Sequence, residues 1–232
     1  MRTMRAALVM CGVLCVAGIA TGQTEWMGDP DNPVIGFEDP GTWAPGGPGN
    51  GIVAMVGETY HMWFTGTDEG NYNGIGIGHA TSPDGVEWTM DSANPVLPVG
   101  PDGEWDDHYV VGGAVIHDGT TFHMWYTGTS GSYQPEYVGY ATSQNGSTWT
   151  KYASNPVIEP GPPGSWDRQW LNATAVITDG ETYKMWYTGS SGSVEDSKIG
   201  YAESPDGLAW TKHPDPVLES GEYPGAWEVG VL

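Results

Sequence analysis

The chain has 232 residues and carries 29 acidic side chains against 7 Lys and Arg, for a formal net charge of −22, which sets aside nucleic acid and anionic membranes as partners. Neutral sugars and calcium stay compatible with that charge, and so does a merely solvated acidic shell. The 36 Gly and 18 Pro argue against long helices, while 12 Trp and 12 Tyr supply large apolar faces with polar tips for a core.

Residues 1–22 read as a secretory signal peptide. Arg2 and Arg5 precede an apolar run from Ala6 to Ala20, and Thr21 and Gly22 are small residues ahead of Gln23. The run is shorter than the roughly 20 apolar residues of a transmembrane helix, so the expectation is an exported protein, secreted or periplasmic. Both cysteines, Cys11 and Cys15, lie in this segment. The mature chain, residues 23–232, must therefore be held by packing without disulfides.

From here the sequence repeats. "TEWMGDPDNPVI" ends at a unit boundary, and units open at Asn32, Asn94 and Asn155, with a fourth opening at Asp215. The units are about 32–93, 94–154, 155–214 and a partial 215–232. Each complete unit carries the phrase "MWFTG" or "MWYTG", at residues 62–66, 124–128 and 185–189. Each reads as four short strands: an apolar one such as "AVIHDG", the alternating "TFHMWYTG", then "YVGYAT", then "TWTKY" after a turn "SPDG" or "SQNG". The prediction is an all-β fold, a β-propeller with four-stranded blades. Residues 24–31 match the last strand of a blade and are expected to close the ring beside the final blade, covering an edge. Propellers typically have 4 to 8 blades, and "GAWEVGVL" stops short of the fourth unit's inner strand. The count therefore predicts a truncated five-bladed ring continuing past Leu232, or self-association of partial rings.

At "GSWD", "MWYTG", "IGYAESPDG", "AWTK" and "NPVI" the units resemble the five-bladed propeller glycosidases and their relatives: family 43 arabinanases and xylosidases, family 32 invertases, and mannoside phosphorylases. The resemblance covers about residues 24–232 and implies an enzyme cleaving a polysaccharide or oligosaccharide, with carboxyl groups contributed by successive inner strands around a central funnel. Cleavage of a glycosidic bond needs one carboxylate as nucleophile or base and a second, protonated carboxyl as acid. The places implied by the family hold Asn50-Gly51, Gly112-Gly113 and Ala173-Thr174, none of them a carboxylate.

Acids do follow the repeated Trp of two units, as Asp106 and Asp167, with Glu228 in the partial unit and Ala44 in the first. Asp106, Asp107 and Asp167 are thus the candidate catalytic residues, although one acid per unit at one column is also what a structural carboxylate would look like. Positions where the units differ point to a site, because a residue serving every blade should recur. His108, Tyr109, Arg168, Gln169, Trp170 and Asn172 are unique to their units, and their aromatic, amide and guanidinium groups suit sugar rings and hydroxyls. Trp63, Trp125, Trp186, Trp88, Trp149 and Trp210 recur in register and are expected to pack between blades. No metal site is predicted: His61 and His123 have Lys184 at the third equivalent place, and "DEG" at residues 68–70 is no calcium loop by itself. Bound calcium is compatible but rests on no motif, and no cofactor is expected. "SPDG" also resembles a shortened Asp-box of sialidases, a rival propeller family. Three classes of function follow: an exported glycan-active hydrolase or phosphorylase, a non-catalytic carbohydrate-binding propeller, and an extracellular module binding partners through blade edges.

Overall fold

The computed structural model describes residues 32–36, 43–67, 69, 74–131 and 135–219, and all of these but Asn32 belong to one compact unit, Pro33–Leu232. The expected signal peptide, the closing strand at 24–31 and the chain after residue 219 lie outside the described residues. Three four-stranded antiparallel blades follow one another. The first is β1 (Gly47–Val56), β2 (Thr59–Thr67), β3 (Gly74–Ser82) and β4 (Thr89–Met90). A two-residue strand, β5 (Leu97–Pro98), pairs back on β3. The second blade is β6 (Tyr109–His117), β7 (Phe122–Thr129), β8 (Tyr137–Ser143) and β9 (Trp149–Lys151). The third is β10 (Trp170–Thr178), β11 (Tyr183–Ser190), β12 (Lys198–Ser204) and β13 (Thr211–Lys212). One parallel pairing, Ile75 with Val110, ties β3 to β6. A 3-10 turn spans Val194–Asp196, and among the described residues no helix is long and apolar enough to cross a membrane.

Two sequence boundaries move. The inner strands begin earlier than the apolar run "AVIHDG" suggested, so Tyr109 and Trp170 are the first residues of β6 and β10. The "NPV" segment, expected to open each unit, pairs instead with the third strand of the blade before it: β5 on β3, Ile158 on Val138, Leu218 on Ile199. Asn94 and Asn155 explain this attachment. Each side-chain amide bonds both backbone groups of one third-strand residue, His79 or Tyr140, at 2.7 to 3.0 Å, which satisfies a strand edge that would otherwise be bare.

The turns have a simple chemistry. In "SPDG" the Ser82 hydroxyl accepts from the Asp84 and Gly85 N–H groups, while the Asp84 carboxylate accepts from Val86 and Glu87. Those donors hold the Asp84 carboxyl below its ordinary pKa. Gly85, Gly146 and Gly207 all sit at positive φ, 76° to 82°, where a side chain would be strained.

The repeated pentapeptide is a kit for joining blades. In "MWYTG" of the second blade, Trp125 donates to the Gly207 carbonyl in the third blade's turn at 2.8 Å, as Trp63 of the first blade does to Gly146 of the second at 2.8 Å. The Thr127 hydroxyl donates to the Leu171 carbonyl and accepts from the Ala173 N–H, both on the next inner strand. Thr65 likewise accepts from Gly112. Gly128 leaves room for the Trp105 ring, since a Cβ there would lie 2.8 Å from it. Trp149 and Trp210 complete these joints, edge-on to Trp63 and Trp125 at 5.9 and 6.1 Å. The Trp and Thr of the phrase are thus fixed by contacts with the next blade in the first two copies, and the Gly by the Trp of its own blade.

Candidate functional site

The inner strands β1, β6 and β10 line an open groove of ≈ 460 Å³. Each carries a β-bulge at the same level, at Asn50, Gly113 and Thr174, and bulges bend strands and re-aim groups where sites are built. The walls are Asn50, Gly51 and Ile52 from β1, residues 112–115 from β6, and Asn172, Ala173, Ala175 and Val176 from β10. No ionisable side chain is among them. Asn50 is exposed and is the one non-glycine residue described at positive φ, 36°. Asn tolerates this region better than most residues, and strain of this kind concentrates at functional positions.

Asp106 and Asp167 are elsewhere. Both are buried, at 2% and 4% exposure, and each is engaged inside its own blade. Asp106 accepts from the Tyr126 hydroxyl at 3.0 Å and from Lys151 at 2.7 Å; Asp167 accepts from Tyr187 at 3.2 Å and Lys212 at 2.7 Å. Burial beside a carboxylate pushes both tyrosine hydroxyls well above their ordinary pKa. The first blade shows what the arrangement is for. It has Ala44, Phe64 and Met90 at the three corresponding places, so all three members are exchanged together for apolar residues. An Asp–Tyr–Lys set that is present or absent as a unit is a clamp between the inner loop and the last strand.

The other candidates gather where β6 and β10 begin. The Tyr109 hydroxyl donates to Glu136, whose own N–H donates to the Gln169 carbonyl at 2.8 Å and whose carboxyl also takes the Leu171 N–H. Tyr109 of one blade and Gln169 of the next thus meet through Glu136. His108 packs edge-on to Tyr109 at 6.1 Å. Arg168 is exposed, Trp170 is half-buried, and the Asp107 carboxylate accepts from the Gly103 N–H at 2.6 Å within its loop. Of the nine residues picked from the sequence, only Asn172 lines the groove. Selecting positions unique to one unit found a corner of the rim, but the walls are formed mainly by backbone and small residues, which give no such signal.

Sequence reasoning missed Glu136. Burial raises its carboxyl above the ordinary range, outweighing the donors Tyr109 and Leu171 that favour the charged form. Ile75 and Ser197 occupy the matching places in the other blades, so the comparison of units that selected Tyr109 would have selected Glu136 had it been extended to the third strand. Among the described residues no group of three or more His, Cys, Asp or Glu could hold a metal ion.

Comparison with known proteins supports the architecture. An uncharacterized protein of Mycobacterium tuberculosis strain H37Rv is 30% identical over 168 residues, 68% of this chain and 54% of that protein. The levanase of Bacillus subtilis is 27% identical over 219 residues, 80% of this chain and 28% of the levanase. The chain spans about half of the first relative and under a third of the second. Among solved structures, a family 117 glycoside hydrolase of Zobellia galactanivorans superposes with a TM-score of 0.62 at 19% identity, over 76% of this chain and 57% of that one. The Bombyx mori GH32 β-fructofuranosidase does so with a TM-score of 0.59 at 19% identity, over 75% and 36%. The family model of the glycosyl hydrolases family 32 N-terminal domain matches residues 48–231. With three consecutive blades, the bulged inner strands and this match, the chain belongs to the family of the glycosyl hydrolases family 32 N-terminal domain, a five-bladed β-propeller.

Proposed function

We propose that the protein acts on carbohydrate outside the cytoplasm and that the axial groove holds an uncharged saccharide chain, with fructan the first candidate from the kinship to the levanase. The observation that carries this reading is the composition of the groove: amides of Asn50 and Asn172, backbone, small and aliphatic residues, and no charged side chain among the described lining residues. Amides donate to and accept from sugar hydroxyls without imposing the desolvation cost of an ion. A panel of levan, inulin, arabinan, xylan and mannan in titration calorimetry tests it. Asn50→Ala and Asn172→Ala should each weaken binding about tenfold, the worth of one hydrogen bond to a buried partner. Unchanged affinity in both variants overturns the assignment. Export rests on residues 1–22, and a mature N-terminus other than Gln23 in the secreted protein would contradict the cleavage site.

A second reading, hydrolysis, is favoured by Glu136. Burial beside the starts of β6 and β10 raises its carboxyl above the ordinary range, the direction a general acid needs. Asp107, on the rim, is the partner acid in this reading, because Asp106 and Asp167 are occupied in their clamps. Glu136→Gln and Asp107→Asn should then abolish release of reducing sugar while glycan binding persists. Retained release in both variants excludes it.

A further inference from the structure

The joint between the first and second blades and the joint between the second and third are built differently at one point. In the former, Ile75 of β3 pairs in parallel with Val110 of β6 through the backbone alone. Glu136 and Leu171 take the same two places in the latter. There the Glu136 carboxyl accepts from the Leu171 N–H on β10 and from the Tyr109 hydroxyl at the head of β6, and the Glu136 N–H reaches the Gln169 carbonyl at 2.8 Å. Taking a carboxyl out of water is costly, and Ile75 shows that a joint closes without one. The carboxyl therefore has a task particular to the second joint.

That task lies one residue along β10. Asn172 follows Leu171 and lines the groove, whereas Val111 stands at its place on β6. Both peptide groups flanking Asn172 are gripped by the second blade: the Thr127 hydroxyl donates to the Leu171 carbonyl at 3.2 Å and accepts from the Ala173 N–H at 3.4 Å. Glu136 holds the next group back, the Leu171 N–H, and Leu171 and Ala173 are fully buried. We infer that Glu136 is a positioning residue of the groove: by tying the heads of β6 and β10 together it fixes where the Asn172 amide meets the saccharide. This rests on the saccharide reading of the groove and goes beyond it, because it gives one wall's precision to a carboxyl that does not line that wall. A carboxylate suits the task because it takes two donors at once, and its hydrogen bonds are about twice as strong as neutral ones. Burial and Glu136 itself raise the Tyr109 pKa, so that hydroxyl stays a donor. Tyr109, with His108 edge-on to it, faces the carboxyl from β6, and β10 presents the backbone of Gln169 and Leu171. Protonation turns one acceptor oxygen of Glu136 into a donor, so the hold on Asn172 loosens as pH falls through its pKa, which burial raises.

Two variants separate this role from a merely structural one. Glu136→Leu removes both acceptors and should fold, since Ile75 fills the same place in the first blade; Glu136→Gln keeps an acceptor for Leu171 and a polar partner for Tyr109. In titration calorimetry with levan, inulin, arabinan, xylan and mannan, Glu136→Leu should weaken the glycan that wild type binds by about tenfold, while Glu136→Gln stays near wild type. Added to Asn172→Ala, Glu136→Leu should cost almost nothing more; added to Asn50→Ala it should again cost about tenfold, because only residues that act through one another depart from additivity. Heteronuclear NMR without glycan reads the positioning directly. The Asn172 side-chain amide signals should move as Glu136 titrates, a movement that Glu136→Gln abolishes and His108→Gln leaves in place, while the Asn50 signals stay still. Asn172 signals that ignore Glu136, or equal losses in the two asparagine backgrounds, overturn the inference. A wild type that binds no glycan of the panel while its Asn172 signals still follow Glu136 refutes the saccharide reading alone and supports the hold of Glu136 on Asn172.

Discussion

Asp106 provides the sharpest test of how the blades are held. Asp106→Ala removes the acceptor of a fully buried Tyr126 hydroxyl and the partner of Lys151. The hydroxyl stays in place, accepting from Asn155 at 3.3 Å, and loses its only outlet as a donor. An unsatisfied buried hydroxyl costs about 1–3 kcal/mol. The Lys151 side chain is 28% exposed and can turn toward water, so the total should be about 2–3 kcal/mol, below the roughly 3–5 kcal/mol of breaking a fully buried pair. At about 2–4 °C per kcal/mol for a chain of this size, the melting temperature should fall by about 4–12 °C in differential scanning fluorimetry. The triple variant Asp106→Ala, Tyr126→Phe, Lys151→Met installs the combination the first blade already uses and should return to within about 1 kcal/mol of wild type, since replacing a whole buried ionic set by apolar groups is often neutral. Glycan binding should be unaffected in both. An unchanged melting temperature with lost turnover would show that Asp106 is a chemical group and not a clamp, and a triple variant as unstable as the single one would refute the exchange argument.

Other consequences are equally direct. Burial, and for His61 also the neighbouring His79 and His117, holds the pKa values of His61 and His79 below 6.5, with the Asp91 carboxylate partly opposing this at His79. The unfolded chain then binds more protons, so this contribution is complete above pH 6.5 and is lost as pH falls through 6.5 toward the lower folded values. Melting temperature should decline between pH 7 and 5, and the double variant His61→Gln, His79→Gln should flatten that limb; an unchanged slope would disprove the linkage. Gly128→Ala would place a Cβ 2.7 Å from the Asp106 Cβ and 2.8 Å from Trp105, costing about 1–3 kcal/mol in urea unfolding. Gly49→Ala, with nothing nearer than 4.0 Å, should cost well under that, and equal costs would rule out the steric reading.

Much of the architecture was legible because it is written three times. Hydrophobic alternation, "SPDG" turns and the spacing of the units express local geometry, and a four-stranded blade needs only local pairing to be recognised. The register of six tryptophans predicts packing between blades: Trp63, Trp125, Trp149 and Trp210 each sit in a joint, whereas Trp88 donates to Gly85 of its own turn and Trp186 is half-buried. The site was less legible. Asp106 and Asp167 share a column with an Ala, and only coordinates reveal that Tyr126 with Lys151, and Tyr187 with Lys212, complete them, since these partners lie 20 and 45 residues away in sequence.

The sequence by itself determined the repeat, the all-β class, the turn chemistry and the likeness to glycan-acting propellers, because periodic pattern is a property of neighbouring residues. Tertiary structure decided which carboxylates are consumed in holding each blade together, that Glu136 bridges two neighbouring blades, and that the groove is walled at three bulges with no charged side chain among its described lining residues. Those outcomes depend on which strands pack side by side, and a bulge or a buried ion pair acquires its meaning only from the distant groups that surround it.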